Sequence, residues 1–310
     1  MKVIPIAFDS FGVRSMATFV ETDNLKVLID GAAALGPNRY GLKPTKEEYE
    51  ALELSKKQII EIGKKADVLI VTHYHYDHHP YPDDDKLYSI FKGKKVFAKD
   101  INKDINPSGK KRGKIFESKI KNISNLEFVD GKSFDFGKTH IEFSPAVWHG
   151  DVGSKVGKVI MVFIKEKKSF LFGSDAQSLA DPKALEWAIE KNPDIAIIDG
   201  YPTIFVGWKM SEKNFLASKE NLKAFLNETK VKEIILDHHI VRDLNYKEKM
   251  KDVFDAAKEK KKNILTAAEF LGLDNFFLEA WRREIKDGIR KVNVKEYFEK
   301  LKEKIKKEIG

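Results

Sequence analysis

The chain has 310 residues, with 56 lysines and arginines against 48 aspartates and glutamates, which gives a formal net charge of +8. It contains no cysteine, so disulfides and thiolate metal ligands are excluded. Its longest apolar runs are far short of the roughly 20 residues that a membrane span requires, and its N-terminus lacks the apolar stretch of a signal peptide. We therefore expect a cytoplasmic protein without membrane contact.

The basic balance of charge leaves nucleic acid open as a partner. The composition offers another explanation, because abundant Lys and Glu with only two glutamines and no cysteine are typical of proteins from hyperthermophiles. The sequence also shows no RNA-reading motif and no clear aromatic stacking platform. We therefore expect a thermophile protein, and nucleic acid is the less favoured partner.

The first third of the chain predicts a β-meander and then alternating helix and strand. A hairpin is indicated by two β-rich runs that flank a polar turn. A helix is indicated by apolar residues at helical spacing, preceded by Thr45 and Glu48 as a capping box. The predicted elements are strands over 2–8, 16–21, 25–30, 66–71 and 95–98, and a helix over 45–65.

The rest of the chain predicts a basic loop that leads into a helix (99–121), consecutive strands over 126–173, and then alternating helices and strands. The fold class is therefore α/β (α+β), with two sheets covered by outer helices. Within the strand region, 139–146 and 159–164 each read as one strand, and 134–137 as a turn. The later elements are helices over 182–190, 211–227 and 246–261, and strands over 194–199 and 231–237.

The last ~45 residues have helical spacing, because Tyr297, Phe298, Leu301 and Ile305 fall on one helical face. An apolar stripe of this kind normally packs on the chain's own core. We therefore expect residues 1–262 to form one domain and residues 263–310 to be a helical C-terminal extension packed on it.

Seven of the eight histidines fall in three short places, and the densest is His73-Tyr74-His75-Tyr76-Asp77-His78, directly after an apolar strand. Residues two apart at a strand end point the same way, so His73 and His75 can reach one ion. Asp77 and His78 then face a second point. Clustered histidines repel one another when protonated, and metal binding holds them neutral. The pattern predicts a metal site.

Beyond this motif, the sequence resembles the metallo-β-lactamase superfamily. Its hallmark is His-x-His-x-Asp-His followed by an isolated His, an isolated Asp and a last His, each after a strand. Here His149, Asp175 and His238 stand in those places, and the early Asp30-Gly31 also matches. The resemblance covers roughly residues 1–262 and is to an uncharacterised archaeal branch of predicted metal-dependent hydrolases. It implies a four-layer αββα sandwich.

The resemblance also implies roles for individual residues. It assigns one metal ion to His73, His75 and His149, a second to Asp77, His78 and His238, and a bridging position to Asp175. Asp77 and Asp175 would be catalytic. Further candidates are Asp30 to orient a ligand histidine, His79 to pack against the ligands, His239 as the alternative to His238, and Arg14 for substrate contact.

Nitrogen and oxygen donors suit zinc, with manganese or iron as alternatives. His75 stands where the di-iron branch of the superfamily usually has Glu, which argues against redox chemistry. The resemblance thus implies a hydrolase that activates water at a dinuclear centre. Its substrate would be a small molecule or a phosphodiester: a phosphoester, lactone or thioester. The alternatives are a nucleic-acid-processing phosphodiesterase and a non-catalytic metal-binding protein.

A basic segment after the first motif is open to two interpretations. It is a solvated, densely charged surface of the kind that the composition predicts, or it contacts an anionic substrate. Its cationic residues are Lys103, Lys110, Lys111, Arg112 and Lys114.

Overall fold

The computed structural model describes residues 1–309, which form two β-sheets packed face to face. The first sheet has six strands in the order in which they follow along the chain. The pairs among its first three strands are antiparallel, and from the third strand onward each strand pairs in parallel with the next. The strands are β1 (Lys2–Phe8), β2 (Met16–Glu21), β3 (Lys26–Ile29), β4 (Val68–Val71), β5 (Lys95–Ala98) and β6 (Asn125–Phe128).

The second sheet has seven strands, and a two-stranded ribbon lies beside it. The strands that follow β6 are β7 (Ser133–Phe136), β8 (Thr139–Phe143), β9 (Val147–Trp148), β10 (Lys158–Val159), β11 (Val162–Lys165), β12 (Ser169–Phe172), β13 (Ile195–Asp199), β14 (Glu233–Asp237) and β15 (Asn263–Leu265). Their order in the sheet is β15-β14-β13-β12-β11-β8-β7, and β9 pairs with β10 in the ribbon. The strands from β12 to β15 are parallel.

Helices cover the outer faces of both sheets. One apolar cluster joins the first sheet to the inner face of the second and continues outward to α1 and α10. A second cluster joins the outer face of the second sheet to α4, α5 and α7. The helices are α1 (Lys46–Gly63), α2 (Asp85–Tyr88), α3 (Pro107–Ile120), α4 (Pro182–Lys191), α5 (Glu212–Glu228), α6 (Tyr246–Lys249), α7 (Lys251–Glu259), α8 (Ala267–Phe270), α9 (Arg282–Lys286) and α10 (Val294–Ile309). The fold is thus the expected four-layer αββα sandwich.

Local signals in the sequence set several of these elements. Helix α1 begins at the predicted capping box, in which the Thr45 side chain accepts from the Glu48 backbone N–H and the Glu48 carboxylate accepts from the Thr45 N–H. Helix α3 begins at Asn106, whose side chain accepts from Gly109 N. Pro107 fits the first turn of α3 because an N–H there has no helical partner.

The strand prediction is wrong around the ribbon. Residues 139–146 do not form one strand, because β8 ends at Phe143 and Pro145 has no N–H for a ladder. The run 159–164 is divided between β10 and β11, where Ile160 N donates across to Thr72 O. The expected turn at 134–137 is largely strand β7, and the expected helix over 246–261 is broken at Met250.

The segment after residue 262 begins with a strand rather than a helix. Strand β15 pairs in parallel with β14 and completes the second sheet, whereas α10 packs on β1 and α1 at the far face of the first sheet. The residues predicted for the apolar face of α10 do face inward: Phe298, Leu301 and Ile305 are buried, and Tyr297 is half-buried. The domain boundary at residue 262 stays a prediction, and it falls between α7 and β15.

Within residues 1–309, no helix is both long enough and apolar enough to cross a membrane.

Candidate metal centre

The candidate centre lies where the parallel strands of both sheets end. Strand β4 leads into His73 and His75, which follow Thr72. Nε2 of His73 and Nδ1 of His75 lie 3.0 Å apart. When His73 carries its proton on Nδ1 and His75 carries its proton on Nε2, these two nitrogens present lone pairs to one point in space.

His149 and Asp175 meet this pair from the second sheet. His149 directly follows β9, and Asp175 lies three residues beyond Phe172, the last residue of β12. The Oδ2 atom of Asp175 lies 2.9 Å from Nε2 of His149 and 3.4 Å from Nε2 of His73. One ligand atom from each of His73, His75, His149 and Asp175 lies within 4.8 Å of the others, so these four form a group that can hold a metal ion.

A second group forms on the other side of Asp175. Its Oδ1 atom lies 3.1 Å from Nε2 of His78 and 3.7 Å from Nε2 of His238. The carboxylate of Asp77 lies 3.6 Å from the same nitrogen of His238. Asp77, His78 and His238 therefore also bring one ligand atom each within 4.8 Å. The structure thus brings all seven residues predicted as ligands together.

Buried carboxylates fix the orientation of the histidines in the second group. Nδ1–H of His78 donates to Asp30 Oδ2 at 2.8 Å, a contact compatible with the predicted role of Asp30 in orienting a ligand histidine, which stays a prediction. Nδ1–H of His238 donates to Asp9 Oδ2 at 2.6 Å. A carboxylate on the far nitrogen leaves Nε2 as the free donor atom and raises its basicity. Asp9 was not predicted from the sequence.

His238 and His239 point to different partners. Nδ1–H of His239 donates to Asp199 Oδ2 at 2.9 Å, and its side chain lines the adjacent cavity. His239 also approaches Asp175 and His238 closely enough to form a ligand group with them, so the choice between the two histidines stays a prediction. Nε2 of His238 faces both Asp77 and Asp175, which favours His238.

The other two histidines lie outside this convergence. Nδ1–H of His79 donates to His75 O at 2.9 Å, and its ring stacks on Tyr76, so His79 packs against the motif. His140 lies in β8 on the exposed side, paired with Asp135 at 2.7 Å.

Three of the strand ends carry a residue in the left-handed backbone region, where side chains are disfavoured. These residues are Asp30, Ser174 and His238, with φ between +48° and +66°. Such strain persists where the surrounding structure over-determines the conformation, and it clusters at functional sites. Here it turns the chain sharply as it leaves β3, β12 and β14.

Charges in the two groups differ. Burial lowers the pKa of His73 to about 3, with His78 adding to the effect, and burial also lowers the pKa of His75 to about 3. Burial would lower the pKa of His238 as well, but Asp9 and Asp175 outweigh it and raise that pKa to about 10. Burial would also lower the pKa of His78, but Asp175 and Asp30 outweigh it and hold that pKa well above its ordinary value.

Several buried polar atoms at the centre have no hydrogen-bond partner within the described chain. An unsatisfied buried group of this kind costs about 1–3 kcal/mol. The short distances between Asp175 and the histidines do not have hydrogen-bonding geometry. The atoms are Nε2 of His78, Nδ1 and Nε2 of His149, and both carboxylate oxygens of Asp175. Except for His149 Nδ1, these atoms face one another across the centre and each has a lone pair to offer a metal ion. The residues present therefore fit divalent cations bound by nitrogen and oxygen.

A cavity of about 700 Å³ opens beside these groups. His75, Asp77, His149 and Asp175 are in its wall, so the centre is accessible from outside. The predicted substrate-contact residue Arg14 also lines it, but its Nε and Nη2 atoms donate to the carboxylate of Glu279, both at 2.6 Å.

Sequence reasoning missed Asp9, Asp199 and Arg242. Arg242 Nε donates to Asp9 Oδ1 at 2.7 Å, and its guanidinium lies beside the His238 ring. Asp9 and Asp199 carry the same signal as Asp30, an aspartate at the carboxyl end of an apolar strand. That signal was available, whereas no local pattern distinguishes Arg242 from other basic residues.

The sandwich and its strand-end histidines and aspartates define a protein of the metallo-β-lactamase fold. Among solved structures, the chain is similar to a metallo-β-lactamase fold protein from Bacillus subtilis, at 13% identity and a TM-score of 0.49, over 85% of this chain and 90% of that one. It is also similar to CmlA, a di-iron β-hydroxylase from Streptomyces venezuelae, at 12% identity and a TM-score of 0.50, over 81% of this chain and 51% of that one. The likeness to CmlA concerns the fold alone.

Sequence comparison defines the family. The UPF0282 protein of Korarchaeum cryptofilum is 42% identical over 287 residues, which cover 92% of this chain and 94% of that protein. No protein-family model matches the sequence. The chain belongs to the UPF0282 family, and the archaeal resemblance predicted from the motifs is confirmed.

Proposed function

We propose that the chain is a metal-dependent hydrolase whose centre holds two divalent ions, with zinc as the preferred metal and manganese or iron as alternatives. The observation that carries the proposal is the position of Asp175. One of its oxygens lies 2.9 Å from His149 Nε2, and the other lies 3.1 Å from His78 Nε2. A buried carboxylate between two groups of nitrogen donors is suited to bridge two ions.

The proposed ligands follow the two groups. His73, His75 and His149 would hold the first ion. Asp77, His78 and His238 would hold the second, and Asp175 would contact both. Two divalent ions in these places would supply Lewis acidity toward a water molecule and toward a carbonyl or phosphoryl oxygen of the substrate.

The proposed catalytic residues of the chain are Asp77 and Asp175. The side chain of Asp77 is 16% exposed and lines the cavity, whereas that of Asp175 is 1% exposed. Asp77 is therefore the carboxylate that a water molecule in the cavity reaches more easily. Burial would raise the pKa of Asp77, but His78 and His238 outweigh it and lower that pKa, so the carboxylate is ionised and can accept a hydrogen bond that orients the water.

The cavity supports a small-molecule substrate, since its volume lies in the range of ordinary ligand pockets. Attack by water at a phosphoester, a lactone or a thioester is compatible with the arrangement of acids and histidines. A nucleic-acid-processing phosphodiesterase and a non-catalytic metal-binding protein are the alternatives.

The test compares metal content and activity in the same samples. Elemental analysis of zinc-reconstituted protein should give about two ions per chain, and the Asp175→Ala variant should lose at least one ion together with hydrolysis of bis-p-nitrophenyl phosphate or of a lactone panel. His140→Ala is the matched control, because His140 lies outside both groups. Retention of two ions and full activity in Asp175→Ala would contradict the proposal. Two ions without hydrolysis of any substrate would favour the non-catalytic alternative.

A further inference from the structure

The cavity beside the metal centre has four cationic side chains in its wall, and two of them are neutralised. Arg14 is held by both oxygens of Glu279, and Arg242 donates to Asp9. The charges of Arg14 and Arg242 are therefore largely neutralised by carboxylates of the protein itself. The four are Arg14, Arg112, Lys209 and Arg242.

Arg112 has no such partner. Within residues 1–309, no carboxylate oxygen lies within 4.0 Å of its guanidinium, which donates only to Tyr74 O at 3.4 Å. The guanidinium carbon lies 4.7 Å from the centre of the Tyr76 ring. An arginine resting on an aromatic face is held in position, and its edge N–H groups stay free to bind a planar anion through two bonds.

The position of Arg112 depends on the glycine that follows it. A Cβ atom on Gly113 would lie 2.5 Å from Ile101 and 2.9 Å from the Tyr74 ring. Helix α3 therefore packs closely against the histidine motif only because residue 113 has no side chain. Arg112 is half-buried beside Tyr76 as a result, whereas Lys110, Lys111 and Lys114 on the same helix are exposed and do not line the cavity.

Another part of the cavity wall is apolar. Leu35, Pro37 and Tyr81 line the cavity and also an adjoining cleft of about 300 Å³, which continues over Pro44 and Leu52. Apolar surface of this kind binds the hydrocarbon part of a ligand. Within residues 1–309, the site thus combines Arg112 and Lys209, which have no carboxylate partner, with an extended apolar wall.

We propose that Arg112 binds a negatively charged group of the substrate that is separate from the bond being hydrolysed, and that the apolar body of the substrate lies along Leu35, Pro37 and Tyr81. The substrate class is an ester or phosphoester of a small amphipathic acid. This inference rests on the proposed function, because it places the reacting bond at the metal centre. Lys209, exposed at the cavity and 4.3 Å from the Trp208 ring, adds a second positive charge.

The experiment uses matched pairs of chromogenic substrates on the metal-reconstituted protein. One pair is p-nitrophenyl valerate and mono-p-nitrophenyl glutarate, and the other is p-nitrophenyl phenyl phosphate and its 4-carboxyphenyl analogue. In at least one pair the member with the additional carboxylate should have a kcat/KM about tenfold higher, which is the size expected for one charge-assisted contact. Arg112→Gln should remove this preference, mainly through KM, and Arg112→Lys should keep part of it. Lys111→Gln makes the same charge change on the same helix and should have no effect.

The outcomes separate this inference from the hydrolase proposal. Hydrolysis without preference for the added carboxylate in either pair, or equal behaviour of Arg112→Gln and Lys111→Gln, would overturn the inference and leave the hydrolase proposal standing. If no substrate is hydrolysed, the hydrolase proposal fails, and calorimetric binding of phenylphosphonate decides the role of Arg112. A Kd raised about tenfold in Arg112→Gln alone supports anion binding, and an unchanged Kd overturns it.

Discussion

At the scale of single residues, the centre depends on aspartates that follow strands and bind histidines. Each of these carboxylates is buried, and each accepts an N–H from the histidine nitrogen that faces away from the centre. The strands supply the aspartates at their carboxyl ends, so the sheet itself fixes how the imidazoles turn. The pairs are His78 with Asp30, His238 with Asp9, and His239 with Asp199.

Replacement of Asp30 by Asn should weaken metal binding without unfolding the protein. Asn tolerates the left-handed backbone at this position, but it removes the charge that makes His78 a stronger donor. We expect zinc affinity to fall roughly 10- to 100-fold, measured by competition with a chromogenic chelator. Asp135→Asn is the matched control, because Asp135 binds the half-buried His140, which lies outside both groups. Equal zinc affinities in the two variants would contradict the role given to Asp30.

At the scale of elements, helix α3 illustrates how packing overrides local preference. Glycine is a poor helix former, and Ala in its place favours an isolated helix by about 1 kcal/mol. Gly113 is nevertheless required by the close approach of α3 to Tyr74 and Ile101, which are both buried. At residue 113, helix propensity therefore favours Ala, whereas tertiary packing favours Gly.

Gly113→Ala should consequently destabilise the protein. The added methyl must displace buried side chains, and overpacking of this kind costs about 1–3 kcal/mol, more than the gain in helix propensity. Urea unfolding should show a lower midpoint with an unchanged slope. Lys114→Ala, at an exposed position of the same helix, should shift stability by less than about 0.5 kcal/mol. A Gly113→Ala variant more stable than the original protein would show that helix propensity outweighs overpacking at this position.

Elements with local signals could be predicted from the sequence, and those that depend on distant partners could not. Helix α1 carries its own capping box, and the His73–His78 motif follows its strand directly. Both can therefore be recognised from a few consecutive residues of the sequence. The ribbon that carries His149 depends on Pro145 and on the bond from Ile160 N to Thr72 O. Strand β15 has three residues and exists because β14 pairs with it. Asp9 reaches His238 only through the three-dimensional fold.

At the scale of the whole molecule, residues near the C-terminal end secure the wall of the cavity. The buried Arg282 donates to the carboxylate of Glu48 and to the backbone carbonyls of Gly36 and Leu42. The loop between β3 and α1 is thereby tied to the segment that precedes α10. Arg14 is fixed in the same way by Glu279, so the geometry of the cavity depends on contacts between the two ends of the chain.

Glu279→Gln should lower stability in a pH-dependent way. Burial would raise the pKa of Glu279, but its bonds with Arg14 outweigh that and lower the pKa to about 2. A pKa lower in the folded than in the unfolded state stabilises the fold above the unfolded value of roughly 4.3, and this contribution is lost as the pH falls toward 2. We expect a deficit of about 2–3 kcal/mol near neutral pH that shrinks below about pH 4.

Urea unfolding at several pH values measures this deficit. Glu284→Gln is the control, because the side chains of Arg290 and Glu284 are 39% and 36% exposed and ion pairs open to solvent in this way contribute little. A deficit that stays constant down to pH values near 2 would contradict the ionised pair of Glu279 and Arg14.

The hydrogen bond between Asp9 and His238 joins parts of the centre that are synthesised at very different times. The two residues are 229 positions apart, and a ribosome releases the chain from its N-terminus at roughly 5–20 residues per second. The His73–His78 motif is therefore outside the ribosome many seconds before strand β14 exists. The seven predicted ligands therefore cannot converge on the nascent chain before His238 has been made, and until then the His73–His78 motif is without its complete set of partners.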